Sequence, residues 1–141
     1  MKPELARLKR LQRLERVRAI AKQAAAGEAA RAEGTLSQLA ALAERSRLLA
    51  GDYAARREAR DGSALQQLAR FANGLQGISR NTANDAAQAR QLADTKQELL
   101  ALAERRRAAV EERAAHEAQR IASRETAPPA GPRRGFGTGL E

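Results

Sequence analysis

His116 is the only histidine of the 141-residue chain, and there is no cysteine. A lone imidazole beside Glu117 lacks the nucleophile of a triad and the further ligands of a histidine–zinc site. The adjacent Glu111 and Glu112 could in principle share acid–base work. They sit in a mixed-charge helical stretch, where such residues form solvated ion pairs worth tenths of a kcal/mol, roughly 0.2–0.5 each. No glycine loop is followed by Lys-Ser or Lys-Thr, so no P-loop is present. No catalytic residue, metal site, cofactor or small-molecule substrate is therefore expected, and the chain reads as a non-enzyme.

The residues with chemical weight are cations. Lys2, Arg7, Lys9, Arg10, Arg13, Arg16, Arg18 and Lys22 stand against only Glu4 and Glu15. The first 22 residues thus supply +6 of the chain's formal +9. Between them Leu5, Leu8, Leu11, Leu14, Val17 and Ile20 recur at every third position. Three residues turn an α-helix about 300°, so this row slips about 60° per step and winds round the helix. Isolated surface leucines near a fraying helix end are one explanation. The other is a helix held in a sleeve contributed by a second protein, with apolar contacts on several sides. An acidic partner of some kind is implied by the charge.

The elements that position these residues are long helices. From Leu65 to Ile121 the row Leu65, Leu68, Ala72, Leu75, Ala86, Ala89, Ala93, Leu100, Ala103, Val110, Ala114 and Ile121 alternates gaps of three and four or their sums. Ser79, Thr82, Lys96, Arg107 and Glu117 are the polar residues in that register. Eight heptads without proline predict one helix with a single seam, roughly 85 Å long at 1.5 Å per residue. Three aromatics, Tyr53, Phe71 and Phe136, cannot centre a globular core. Ala, Leu, Glu, Gln, Arg and Lys dominate, as in long helices.

A first helix precedes it. Pro3 and Glu4 suit a first turn. Ala24 to Ala32 is nearly all alanine, with Gly27 and Gly34 as soft points. Its seam is expected to strengthen at Leu36, Leu39, Leu42, Leu49 and Tyr53. Gly51-Asp52, Asp61-Gly62-Ser63 and Asn73-Gly74 compete for the turn. Folding at Gly62 pairs residue i with about 124 − i and leaves neither helix without a partner. Gly62 then follows the first helix and Ser63 caps the second. The expected fold is all-α: a long two-helix antiparallel coiled-coil hairpin over residues 1–127, with its turn near 60–64. Tyr53 should meet Phe71, and Leu49 should meet Leu75. Phe71, Ile78, Leu92 and Leu99 share one heptad position beside the seam, interrupted by Asp85. Part of that flank should stay exposed as a docking face, best around Phe71, Leu75 and Ile78. After Thr126, Pro128-Pro129 stops the helix, and residues 128–141 are expected to be a disordered tail bearing Arg133, Arg134 and Phe136. No apolar run resembles a signal peptide or a membrane span, so a cytoplasmic protein is expected.

The N-terminal RLKRLQRLERVR, the alanine-rich first helix, the central ARFANGLQGI and the late LLALAERRRAAVEER resemble the FliJ family of flagellar type III export proteins. The resemblance covers roughly residues 5–121, and departs from the common pattern at the alanine–glycine stretch and at Asn73-Gly74. It implies a cytoplasmic antiparallel coiled coil, similar to the central stalk of rotary ATPases, that stands in the hexameric export ATPase. Such a stalk also binds the membrane export-gate protein and reaches the inner membrane only through its partners. Carried onto this chain, Leu8, Lys9, Arg10, Leu11, Arg13 and Arg16 become the expected ATPase contacts. Phe71, Leu75 and Ile78 become the expected export-gate contacts. The stalk proteins of injectisomes share this shape. Two other readings stand beside it: a basic nucleic-acid-binding coiled coil, and a structural coiled coil or secretion chaperone. Nucleic acid is disfavoured, because no stacking aromatics interleave the cations and no reader motif is visible.

Overall fold

The computed structural model describes residues 2–56 and 60–127. It contains two helices, α1 over Lys2–Ala55 and α2 over Gly62–Thr126, packed against each other, and no strand among the described residues. The expected all-α, two-helix fold is what the structure shows. The expected tail at 128–141 lies outside the described residues.

The connection comes slightly earlier than the expected 60–64, since α1 already ends at Ala55. There the Arg56 N–H donates to the Tyr53 carbonyl at 3.3 Å, and the Arg56 guanidinium lies 4.1 Å from the Tyr53 ring centre. The cap of α2 also differs from expectation. Asp61, not Ser63, supplies it: the Ala64 N–H donates to Asp61 Oδ1 at 2.7 Å, and the Leu65 N–H to the Asp61 carbonyl at 3.1 Å. A carboxylate at this place satisfies an otherwise orphaned N–H and faces the positive helix end. Gly62 is accordingly the first residue of α2 and has no left-handed backbone.

The chain divides into two compact units. The larger, Ile20–Arg105, is held by a seam of small residues. Ala25, Ala29, Ala32, Leu36, Leu39, Ala43, Ser46, Ala50 and Tyr53 of α1 are buried or half-buried at gaps of three and four. Facing them are Leu68, Ala72, Leu75, Ser79, Thr82, Ala86, Ala89, Ala93, Lys96, Leu100 and Ala103. Alanine on both sides lets helices approach toward the short end of the usual 8–10 Å separation. Ala93 is 0% exposed in consequence. The register of α2 is the expected one, polar members included, except at Leu65, which is exposed while Ala64 takes the packed place. In α1 the expected Leu42 and Leu49 stand exposed, and the seam runs instead through Ala43, Ser46 and Ala50. Continuing the three-four spacing from Leu39 leads to 43, 46, 50 and 53, whatever the size of the side chains.

Pairs in this unit follow the expected 124 − i. The Tyr53 and Phe71 rings meet edge to face at 4.8 Å, and Lys96 Nζ donates to Glu28 Oε2 at 3.0 Å. The buried Thr82 hydroxyl is satisfied within its own helix by the Ser79 carbonyl, at 3.0 Å. The hydrogen bond and charge of Lys96 hold the Glu28 carboxyl below its usual pKa. A depressed folded-state pKa contributes stability at neutral pH that is lost as pH falls through the carboxylate range. Glu28→Gln should therefore lower the melting temperature slightly at pH 7, and the difference should vanish at pH 3. A gap that persists at pH 3 would show that Glu28 acts by packing rather than by charge.

The smaller unit comprises the start of α1 through Ala19 and α2 from Arg106 onward. Glu4, Leu8, Leu11, Glu15 and Arg18 of α1 are half-buried. Across from them Arg107 is half-buried, and Val110, Ala114, Glu117 and Ile121 are buried. Charges occupy half of this seam. Glu117, 6% exposed, is approached by Arg7 at 3.9 Å and by Arg120 at 3.4 Å, while Arg124 pairs with Glu4.

Candidate partner-binding surfaces

The basic arm of α1 belongs to the smaller unit. Lys9, Arg10, Arg13 and Arg16 are all exposed, as a contact set requires. Leu8 and Leu11, expected to accompany them outward, are half-buried against α2. A row with period three crosses a seam of period 3.5 at only a few places, and here those are Leu8 and Leu11. The remaining members fall outside it: Leu5, Leu14 and Val17 are exposed, Val17 by 60%. Ile20, which opens the larger unit, is exposed as well. The available surface is therefore cations interspersed with Leu14 and Val17, not with Leu8 and Leu11.

The apolar flank belongs to the larger unit. Phe71 and Ile78 are each 53% exposed, and Leu92 and Leu99 are exposed similarly. Leu75, the third residue expected in a docking set, is a half-buried seam residue. Each exposed residue directly precedes a packed one: Phe71 before Ala72, Ile78 before Ser79, Leu92 before Ala93, Leu99 before Leu100. Leu42 and Leu49 stand in the same relation to Ala43 and Ala50. In antiparallel helices that heptad position of both partners lies on one side of the pair. Leu42 and Leu49 thus widen the flank of α2. Leucine is the usual seam residue, which draws Leu42 and Leu49 into the expected seam; the small Ala43 and Ala50 one place later are the signal that the seam runs through them instead.

Charge is scarce along this flank. Residues 71–79 contain none, in a chain that is 30% charged. A surface that is apolar and nearly uncharged loses little by desolvation, which suits a protein contact.

His116 is exposed and shares a shallow cleft with Arg7, Leu11, Glu112, Arg113 and Glu117. No group of three or more His, Cys, Asp or Glu able to hold a metal ion occurs among the described residues. No described helix is long and apolar enough to cross a membrane. Comparisons of the chain with protein-family models, with curated proteins and with solved structures find no match.

Proposed function

We propose that the chain is a non-catalytic, cytoplasmic stalk of a flagellar type III protein export apparatus, linking a hexameric export ATPase to the export gate. The observation that supports this reading is the basic arm. Its cations and its exposed Leu14 and Val17 point outward at different angles from one helix. A partner that presents walls on several sides can use all of them, and a ring of six subunits does so. The flank at Phe71 and Ile78, widened by Leu42 and Leu49, offers the second, charge-poor contact for the gate.

The test is ATP hydrolysis by the export ATPase with the stalk added. Reversing Arg10 and Arg13 to Glu should remove stimulation and weaken ring binding at least tenfold. Both side chains are exposed, so helicity by circular dichroism should be unchanged. Wild-type binding should also weaken as salt shortens the screening length below about 8 Å. Normal stimulation by the reversed protein would remove the arm from the ring contact.

A further inference from the structure

A second charged surface lies on α2. Arg106, Arg113 and Arg120 recur at seven-residue intervals and all are exposed. Seven residues advance a helix about 10.5 Å, so the three guanidinium stems form a row along one edge of α2. Arg7 joins that row from α1. It shares Glu117 with Arg120 and a cleft with Arg113. Glu117 is buried and serves only Arg7 and Arg120; Arg106 and Arg113 make no ion pair among the described residues. Over residues 2–19 and 106–127 there are twelve Lys and Arg against six Asp and Glu. This edge carries much of the surplus.

The edge is not purely ionic. Leu14 stands seven residues from Arg7, hence on the same side of α1, and is exposed with Val17. A phosphate backbone has nothing to offer those side chains. A flat bilayer cannot enter the concave cleft between Arg7 and Arg113. A third helix can do both: it fits the groove between two helices, packs apolar side chains on Leu14, and sets carboxylates against the arginines.

We propose that this edge of the smaller unit docks an acidic amphipathic helix of a partner protein, with Glu or Asp at seven-residue spacing facing Arg106, Arg113 and Arg120. The proposal uses other cations than the ring contact, Arg106 and Arg113 in place of Arg10 and Arg13, while Leu14 and Val17 are common to both surfaces. The match of spacing is what gives it specificity. A helix with carboxylates every seven residues meets the arginine row residue for residue, whereas one with scattered carboxylates meets it once.

The test uses the full chain and a synthetic helical peptide with leucines on one face and Glu at heptad spacing beside them. Titration should show saturable one-to-one binding, and a peptide with Lys in place of Glu should not bind. Arg106→Glu with Arg113→Glu should weaken binding at least tenfold, and Arg106→Gln with Arg113→Gln by an intermediate factor. Lys9→Glu with Arg16→Glu should change it less than twofold, because Arg16 borders a different cleft, with Gln12, Glu15, Ala19 and Arg107. Equal losses in both charge-reversed pairs would reduce the effect to bulk charge and overturn the proposal. So would absence of binding. Tighter binding to phosphatidylglycerol vesicles or to a 20-base-pair duplex, lost in the same Arg106 and Arg113 variants, would overturn it in favour of that occupant.

Discussion

Ala93→Asp is expected to destabilise the larger unit by about 3 kcal/mol or more, read as a fall in the urea midpoint of the helical signal. Ala93 is 0% exposed, and its register neighbour across the seam is Ala32, also buried. A carboxylate placed there is stripped of water, and the nearest seam cation, Lys96, is already paired with Glu28. An unpaired buried charge costs several kcal/mol, roughly 3–5, unless the helices part to hydrate it. Either response weakens the close approach that the alanines allow. Ala87→Asp is the control. Ala87 is exposed on the same helix, so the same substitution should stay within about 0.5 kcal/mol. Equal effects at 87 and 93 would mean that the packed face is wrongly assigned.

The opposite sign is expected in the smaller unit. Its pairing register sets Arg18 level with Arg107, and both are half-buried. The Nε atom of each is buried with no hydrogen-bond partner. Two like charges in one layer repel, and neither forms an ion pair among the described residues. Arg18→Leu with Arg107→Leu should therefore raise stability, on the order of 1–2 kcal/mol after allowance for the partial exposure of both groups. The single Arg18→Leu variant should gain part of that, by relieving Arg107 of a like-charged neighbour. A loss of stability in the double variant would show that the arginine stems pack better than leucine does.

Much of this architecture is legible in the residues, and the reasons differ by helix. In α2 the three-four spacing carries through Ser79, Thr82, Lys96, Arg107 and Glu117, so period alone locates the packed face where side-chain type does not. In α1 the contrast between faces is weak, because alanine occurs on all of them. Leu42 and Leu49 then attract an assignment to the seam that belongs to Ala43 and Ala50. Leu8 and Leu11 pose the converse problem. They belong to a row that suggests an outward surface, yet the seam crosses it there. At the connection, Asp61 and Ser63 are both good caps two residues apart, and no periodicity chooses between them. The surfaces are harder still. Without a constellation that performs chemistry, only exposure, charge and sidedness distinguish Phe71 or Arg113 from any other residue on a helix.

The pairing by 124 − i also sets the order in which contacts can form. Bringing Tyr53 to Phe71 closes a loop of 18 residues, while bringing Arg7 to Glu117 closes one of 110. By the logarithmic dependence of closure entropy on length, the first is easier by roughly 1.6 kcal/mol. The aromatic pair is also the one contact between two rings among the described residues, at the edge of a seam made mostly of alanine and leucine. It is the contact from which zippering is expected to start, each later pair then being delivered by growth of the helices and not by a search through the unfolded chain.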